Sequence, residues 1–434
     1  MTEQRLETVV RLDASAIKYG HGATREVGDD LRQLGASRVM VVTDAGLAGS
    51  EPVATALNSL REHALDAVMY DRVRVEPSDA SFRDAIAFAQ DGRFDGYLAV
   101  GGGSSMDTAK AANLYATHPA DFLAYVNAPI GEARPVPGAL APLVAVPTTA
   151  GTGSETTGVA IFDLEEMRAK TGIAHRALRP ALGVVDPDNA RSMPPMVAAC
   201  SAFDVLCHAL ESFTNLPFDR RPAPPDPAHR PAYQGRNPVS DVWASRTIEL
   251  CAQNLVRSVT DPSDTEARDR MVLAATFAGV GFGNAGLHLC HGMSYAVAGQ
   301  VRDFHPADYP QDHPMVPHGM SVVLTAPAVF RFTAPADPER HLEAARLMGA
   351  DVSDASPDDA GELLAALITE MMQATGIPNG LSAVGYGPDD VDALVAAALP
   401  QQRVLALSPR PVGEVELRDL FLAAMTCWEP QATR

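Results

Sequence analysis

Residues 96–110 read GYLAVGGGSSMDTAK, in which an apolar strand pattern runs into three glycines and then into a helical pattern. Glycines at such a junction let the backbone approach a phosphate closely, and the first turn of the helix offers free N–H groups and a partial positive charge. The glycines lack the spacing of the dinucleotide-binding fingerprint, so a tight turn that needs glycine explains them equally well. The order of strand, glycine loop and helix indicates one unit of an α/β fold.

The surrounding residues repeat this alternation. Residues 38–44 and 143–147 are continuous apolar runs, and residues 23–35 and 78–92 have helical spacing. Continuous apolar strands separated by helices are typical of a parallel sheet covered on both faces. The stretch PTTAGTGSE (147–155) then places hydroxyl-bearing residues at a strand's carboxyl end, where open α/β sheets bind ligands.

The pattern changes near residue 190. We therefore predict an α/β nucleotide-binding domain over 1–190 and an all-helical domain over 191–434. Residues 216–238 of the second domain carry seven prolines and four arginines, which excludes a helix or a central strand. We expect a Pro/Arg-rich loop inserted between helices.

The charge balance restricts the partners of the protein. Its 434 residues include 54 acidic and 34 basic ones, for a net charge of −20, which argues against nucleic acid or an anionic membrane as a partner. No apolar run approaches the roughly 20 residues of a spanning helix, and the N-terminal residues lack the apolar segment of a signal peptide. The five cysteines show no paired spacing. We expect a cytoplasmic protein with free thiols.

A candidate metal site begins in FDVLCHALES (203–212). Asp204 and His208 are four residues apart among apolar neighbours, so both side chains face the same way on a helix. A simple Asp–His hydrogen bond is the commoner explanation of such a pair, and a metal ion is the alternative. GLHLCHGMSY (286–295) and VPHGMS (316–321) add further histidines, and one carboxylate with several imidazoles suits Fe²⁺ or Zn²⁺.

These motifs, taken in order, resemble those of the iron-containing (group III) alcohol dehydrogenases over nearly the whole chain. Within that family, the stretches 111–131, 203–214, 230–241 and 277–295 look like the hydroxyacid–oxoacid transhydrogenase branch. The resemblance implies a parallel-sheet nucleotide domain, an all-helical metal domain and an active site in the cleft, as in the dehydroquinate synthase-like fold. It implies metal ligands at Asp204, His208, His291 and His318. It implies nucleotide contacts from Asp44, Gly102, Gly103, Ser104, Asp107, Thr148, Thr149, Thr152 and Lys170.

The neighbouring residues by themselves leave some of these assignments open. Asp44 ends a strand, where its carboxylate could bind ribose hydroxyls and favour NAD, or could simply form a turn. His291 begins the short motif His-Gly-Met. Relatives often carry a second histidine four residues after this one, and this chain has Tyr295 at that position. We expect His288 or Tyr295 to take over proton transfer or substrate binding, the alternative for His288 being packing.

The resemblance implies an NAD(H)- and Fe²⁺- or Zn²⁺-dependent homodimer. Its reaction would oxidise 4-hydroxybutyrate to succinate semialdehyde while reducing 2-oxoglutarate to 2-hydroxyglutarate. Because both substrates are carboxylates, we hypothesise that Arg230 or Arg236 of the inserted loop binds a substrate carboxylate, the alternative being solvent-facing arginines.

Three other functions compete with this one. A plain NAD-dependent alcohol dehydrogenase that uses free NAD shares every motif. A lyase similar to dehydroquinate synthase fits the ligand spacing poorly. A non-catalytic nucleotide-binding module would not need the four intact ligand positions.

Overall fold

The computed structural model describes residues 5–167 and 169–429, which form two compact units. The first unit consists of residues 13–193. The second combines the residues up to 12 with those from 194 onward. The predicted domain boundary at residue 190, which assigns the N-terminal segment to the first domain, stays a prediction.

The first unit alternates strands with helices. Its strands are β1 (Ala16–Tyr19), β2 (Arg38–Asp44), β3 (Asp66–Val73), β4 (Gly96–Gly101), β5 (Leu143–Pro147), β6 (Val159–Leu164), β7 (Ala169–Ala174) and β8 (Leu182–Val185). Its helices are α1 (Val27–Gln33), α2 (Glu51–Glu62), α3 (Asp79–Gly92) and α4 (Gly103–Thr117).

Six of these strands form a parallel sheet in the order β1-β8-β5-β4-β2-β3. Every residue of β4 and β5 is buried, which explains why these strands are continuous apolar runs. The predicted parallel sheet is confirmed. Strands β6 and β7 pair separately as an antiparallel hairpin, which the sequence analysis did not predict.

The regular structure of the second unit is helical in the described residues. Its helices are α5 (Pro195–Thr214), α6 (Pro238–Thr260), α7 (Thr265–Ala285), α8 (Leu289–Gly299), α9 (His318–Val323), α10 (Ala326–Thr333), α11 (Pro338–Leu347), α12 (Ala360–Thr375), α13 (Val391–Ala398), α14 (Gln402–Leu405) and α15 (Glu414–Ala423). The predicted helical second half is therefore confirmed.

The Pro/Arg-rich segment 216–238 forms an ordered loop with two short 3-10 turns. Its backbone is tied at both ends: Phe218 N–H donates to the carbonyl of Arg236 (3.1 Å), and Gly235 N–H donates to the carbonyl of Ala285 (2.8 Å). The loop is thus fixed to the end of α7, close in sequence to the HGM histidine.

Helix α5 contradicts one expectation from the sequence. By length and composition it could cross a membrane, although the sequence analysis found no such run. However, 83% of its most apolar window is buried inside the protein, and the helix carries Asp204, His208 and Glu211 on its inner turns. These features are those of a core helix that also holds a polar site.

Candidate metal centre and nucleotide loops

Four side chains converge in the helical unit. Asp204 and His208 lie on successive turns of α5, His291 lies in the first turn of α8, and His318 begins α9. One possible ligand atom from each lies within 4.8 Å of all the others. The structure therefore brings together all four of the predicted metal ligands.

A glycine allows α9 to approach α5 closely enough for this. A Cβ atom at Gly319 would lie 1.9 Å from the carbonyl oxygen of Cys200, which no other residue could tolerate without a shift of the helix. The histidine that precedes Gly319 is thereby held against the turn that carries Asp204. The sequence Pro317-His318-Gly319 thus contains both a predicted metal ligand, His318, and the glycine that lets its helix approach α5.

The distances within the cluster fit a divalent ion. Asp204 Oδ1 lies 3.5 Å from His208 Nε2, 3.4 Å from His291 Nε2 and 3.6 Å from His318 Nε2. Ligands about 2.1 Å from a tetrahedral ion are about 3.4 Å apart, so these spacings are those of a coordination shell. Among the described residues, neither Asp204 Oδ1 nor His291 Nε2 has a hydrogen-bond partner, although both are buried. A cation between them would satisfy both atoms.

The buried charges of the cluster shift its pKa values in opposite directions. Burial lowers the pKa of His208 to about 3, so this imidazole is neutral. Burial alone would also lower the pKa of His291, but the charges of Glu211 and Asp204 outweigh it and raise the pKa to about 9. The three imidazoles hold the pKa of Asp204 well below its usual range despite its burial. Asp204 is therefore an anion, and without a metal ion its charge is compensated by the protonated imidazole of His291, 3.4 Å away.

Glu211, one turn after His208 on α5, was missed by the sequence analysis. Its Oε2 accepts a short hydrogen bond from Nδ1–H of His291, and its Oε1 accepts from the backbone N–H groups of Cys290 (2.7 Å), His288 (3.2 Å) and His291 (3.3 Å). This fully buried carboxylate therefore caps the start of α8 and leaves Nε2 of His291 for a metal. The i, i+4, i+7 spacing of Asp204, His208 and Glu211 was the available signal.

His208 is held by aromatic stacking. The centroid of its ring lies 3.9 Å from that of Phe282 and 4.6 Å from that of His291. Both contacts are near-parallel, with interplanar angles of 11° and 19°. The ring is therefore fixed between helices α7 and α8, with its Nε2 towards Asp204.

His288 precedes α8 and caps it. Its Nδ1 accepts from the backbone N–H of Leu289 (2.8 Å), and its Nε2–H donates to Thr214 Oγ1 (3.1 Å), whose hydroxyl donates to Leu210. Burial lowers the pKa of His288 to about 4, so the ring is neutral. Its role in proton transfer stays a prediction, and this geometry favours the packing alternative.

Tyr295 lies on α8 one turn after His291 and is buried. Its hydroxyl accepts a hydrogen bond from Nη2 of Arg403 (3.2 Å). Arg403 lies more than a hundred residues further along the chain, and no motif connects the two residues. The predicted role of Tyr295 in proton transfer or substrate binding stays a prediction.

The two arginines predicted to hold the substrate already have carboxylate partners. Arg230 donates to Glu7 (3.0 Å), and Arg236 donates to Asp337 (2.6 Å). Each guanidinium is thus neutralised within the helical unit. The binding of a substrate carboxylate by Arg230 or Arg236 stays a prediction, and the ion pairs favour a structural role for both residues.

In the α/β unit, the glycine loop lies against the hydroxyl-rich loop. A Cβ atom at Gly103 would lie 2.7 Å from Thr152 Cγ2, and one at Gly102 would lie 3.3 Å from Thr149 Cγ2. Thr148 N–H donates to the carbonyl of Gly101 (3.0 Å), which fixes the start of the second loop. The predicted nucleotide-contacting residues of both loops therefore share one edge of the sheet, where α4 begins.

Two predicted nucleotide residues, Asp44 and Lys170, form contacts within the protein itself. Asp44 Oδ1 accepts from the backbone N–H groups of Gly46 (2.9 Å) and Leu47 (3.1 Å), so this carboxylate also forms the local turn. Lys170 is 2% exposed and forms ion pairs with Glu76 (2.7 Å) and Asp163 (3.0 Å). The predicted nucleotide contacts of these side chains stay predictions.

Asp107 connects α4 to the second loop. Its Oδ1 accepts from Ser154 Oγ (2.7 Å) and its Oδ2 accepts from the backbone N–H of Ile161 (2.9 Å). The buried ammonium of Lys110 donates to Ser154 and to the carbonyl of Val159 (2.8 Å). These bonds give Asp107 a part in positioning the loop. Ser104, one helical turn before Asp107, accepts at Oγ from the backbone N–H of Glu76 (3.2 Å).

Comparison with known proteins gives matches over both units. Residues 14–187 match the profile described as iron-containing alcohol dehydrogenase, and residues 232–425 match the C-terminal profile of the Fe-containing alcohol dehydrogenase family. A mitochondrial hydroxyacid-oxoacid transhydrogenase of Xenopus tropicalis is 55% identical over 98% of this chain and 92% of its own. The human protein of the same name is 55% identical over 95% of this chain and 88% of its own.

A solved 1,3-propanediol oxidoreductase has the same fold, with a TM-score of 0.83, 29% identity and coverage of 96% of this chain and all of its own. The relatives from Xenopus tropicalis and human are both named as mitochondrial. These names contradict the expectation of a cytoplasmic protein, which rested on the absence of a recognisable targeting pattern.

Proposed function

Because the chain belongs to the iron-containing alcohol dehydrogenase family, we propose that it is a metal- and NAD-dependent hydroxyacid–oxoacid transhydrogenase. The convergence of Asp204, His208, His291 and His318 carries this proposal, because a metal ion held there would lower the pKa of a reacting hydroxyl and so favour its oxidation. The identity of 55% with relatives named transhydrogenases selects this activity among the alcohol oxidations of the family.

The proposed reaction consists of two hydride transfers. Hydride leaves C4 of 4-hydroxybutyrate for the nicotinamide ring and the hydroxyl proton is released, which yields succinate semialdehyde and NADH. In the second half-reaction, C2 of 2-oxoglutarate would receive this hydride and the carbonyl oxygen a proton, which would give 2-hydroxyglutarate. The two half-reactions balance, so NAD(H) is regenerated and no external oxidant is consumed.

The residues of the centre have distinct roles in this proposal. When bound to Asp204 and the three imidazoles, Fe²⁺ or Zn²⁺ would act as a Lewis acid that lowers the pKa of the substrate hydroxyl. Glu211 keeps a proton on Nδ1 of His291, so that Nε2 remains a ligand. Phe282 covers one face of His208 and excludes water from it.

The nucleotide would be bound by the α/β unit. Gly102, Gly103 and Ser104 begin α4, where free N–H groups can bind the pyrophosphate. Asp44 would bind ribose hydroxyls and repel the additional phosphate of NADP. We extend the proposal to a homodimer, as implied by the family resemblance.

The test is to incubate the metal-loaded protein with 4-hydroxybutyrate and 2-oxoglutarate without added nucleotide. We expect 2-hydroxyglutarate in an amount equal to succinate semialdehyde, and no product from Asp204→Asn. Asp219→Asn, which changes an exposed aspartate outside the cluster, is the matched control and should leave turnover intact.

One outcome would favour the alternative activity. If product forms from 4-hydroxybutyrate only when free NAD⁺ is supplied, and 2-oxoglutarate has no effect on its amount, the protein is a plain NAD-dependent alcohol dehydrogenase. Both activities require the same metal ligands, so Asp204→Asn is inactive in either case.

A further inference from the structure

Arg403 is a cation without a carboxylate partner in the described part of the helical unit. Its Nη2 donates to the hydroxyl of Tyr295 (3.2 Å), and its guanidinium carbon lies 4.7 Å from the centre of the Tyr233 ring. In contrast, Arg230 and Arg236 are ion-paired with Glu7 and Asp337. Arg403 is half-buried, so its charge is partly removed from water and still uncompensated by an anion.

The structure places this cation beside the helix that carries the metal ligand. A Cβ atom at Gly292 would lie 2.5 Å from Leu405 Cδ2, so the glycine after His291 lets α14 pack directly on α8. Tyr295 follows His291 by four residues, which puts the two side chains on one helical face with Cβ atoms about 6 Å apart. Tyr295 is therefore one helical turn from His291 on the same side of α8, and the guanidinium of Arg403 contacts the hydroxyl end of this tyrosine.

Two phenol rings fix the orientation of this guanidinium. Tyr233 presents its face and Tyr295 its hydroxyl oxygen, and both rings are buried. Tyr233 is itself held by the segment that leads into α8, since a Cβ atom at Gly286 would lie 2.8 Å from Tyr233 Cβ. The two contacts together do not use all five N–H donors of Arg403, so donors remain for a ligand.

Both proposed substrates carry a carboxylate at the same distance from the reacting carbon. In 4-hydroxybutyrate, two methylene groups separate the hydroxyl-bearing carbon from the carboxylate carbon. Two methylene groups likewise separate the keto carbon of 2-oxoglutarate from its distal carboxylate. Three carbon–carbon bonds of about 1.5 Å span roughly 4 Å when extended, so one fixed cation can serve both half-reactions.

We propose that Arg403, oriented by Tyr295 and Tyr233, binds the substrate carboxylate that lies two methylene groups from the reacting carbon. This assignment rests on the proposed function for the identity of the substrates. It also gives a role to the tyrosine that occupies the place of the family's second histidine. Here that position orients an anion-binding arginine.

The test compares an acid with a neutral alcohol of equal chain length. For Arg403→Gln, kcat/KM for 4-hydroxybutyrate should fall about 10- to 150-fold, the value of a charge-assisted hydrogen bond, while kcat/KM for 1-butanol with NAD⁺ should change less than about threefold. Arg403→Lys, which keeps the charge without the planar fork, should lose less. Tyr295→Phe should likewise lower kcat/KM for 4-hydroxybutyrate more than kcat/KM for 1-butanol.

Arg410→Gln is the matched control, because Arg410 is an exposed arginine that lies over the Phe332 ring, outside the cluster. It should leave both substrates unaffected. Equal losses for 4-hydroxybutyrate and 1-butanol in Arg403→Gln, with unchanged metal content, would overturn the assignment. So would an unchanged preference for the acid.

A binding measurement separates this inference from the proposed function. Butyrate contains the carboxylate and its spacing but has no reacting group, so its affinity for the metal- and NADH-loaded protein can be measured by calorimetry. We expect weaker butyrate binding to Arg403→Gln by about 10-fold or more, and no change in Arg410→Gln. If wild type makes no 2-hydroxyglutarate but this difference persists, the transhydrogenase proposal fails and the anion site stands. Equal butyrate affinities refute the site.

Discussion

Glu211 acts on the metal centre through a single proton. An imidazole can present either nitrogen as a ligand, and the hydrogen bond from Nδ1–H of His291 to Glu211 selects Nε2. The same carboxylate accepts three backbone N–H groups at the start of α8, so its charge also compensates the positive end of that helix. One side chain thus sets both the tautomer of a ligand and the position of its helix.

We predict that Glu211→Gln weakens metal binding without unfolding the protein. The amide keeps the shape and can still accept the backbone bonds, but it removes the charge that orients His291. Loss of such an outer partner typically costs 10- to 100-fold in metal affinity. Titration of the metal-free protein with Zn²⁺ measures the effect. Glu249→Gln, at a partly exposed ion pair with Arg246, is the control and should bind as wild type does.

The raised pKa of His291 predicts a pH-dependent metal affinity. In the metal-free protein, this pKa is about 9, so below pH 9 the imidazole carries a proton on the nitrogen that the metal needs. His208, with a pKa of about 3, is already neutral and adds no dependence near pH 7. The apparent affinity should therefore fall about tenfold for each pH unit below 9 and level off above it.

Calorimetry in buffers of different ionisation enthalpy checks this directly. About one proton should be released for each ion bound at pH 7, and almost none at pH 10. Proton release that does not change between these two pH values would contradict the assignment of the raised pKa to His291.

At the scale of elements, glycines set how closely the chain can pack at both sites. Gly319 brings α9 onto α5, Gly292 brings α14 onto α8, and Gly103 brings the start of α4 against the loop that contains Thr152. A Cβ atom would overlap a backbone carbonyl at Gly319 and a side-chain methyl group at Gly292 and Gly103, so a larger residue would have to displace its neighbour. The glycines of the opening stretch, 101–103, therefore serve packing between loops as well as approach to a ligand.

We predict that Gly103→Ala impairs nucleotide binding selectively. The new methyl group would lie 2.7 Å from Thr152 Cγ2 and push apart the two loops that would hold NAD(H). Strain of this kind costs about 1–3 kcal/mol, so the Kd for NADH, measured by fluorescence, should rise about 5- to 150-fold. Gly49→Ala meets no atom within 4 Å and is the control. An unchanged Kd in Gly103→Ala would argue against these loops as the nucleotide site.

For the whole molecule, features that repeat locally could be predicted from the sequence. The parallel sheet followed from uninterrupted apolar runs such as 38–44, because strands buried on both faces have no polar alternation. Helical spacing placed Asp204 and His208 on one face, and the full ligand set with His291 and His318 came from the resemblance of the ordered motifs to the family. The hairpin of β6 and β7 escaped prediction because residues 159–174 mix charged and apolar side chains without a clear period.

The remaining features depend on contacts that only the folded chain makes. Arg403 follows Tyr295 by 108 residues, and no spacing rule connects them. The partners of Arg230 and Arg236 likewise lie at Glu7 and Asp337, far away in sequence. The sequence around an arginine does not show whether its side chain faces solvent, a ligand or a carboxylate. Sequence therefore predicts which chemistry is present more readily than which arginine is available for it.

Removal of the metal should destabilise one unit and spare the other. The four ligands join α5, α8 and α9, and a ligand that binds only the folded state stabilises it by about 2.7 kcal/mol at 100 times its Kd. Amides of these helices should therefore exchange up to about 100-fold faster after chelation, as measured by hydrogen exchange and mass spectrometry. Amides of β2, β4 and β5 in the α/β unit should keep their rates. Asp204→Asn should show no response to chelator, and acceleration spread evenly over both units would contradict a local metal site.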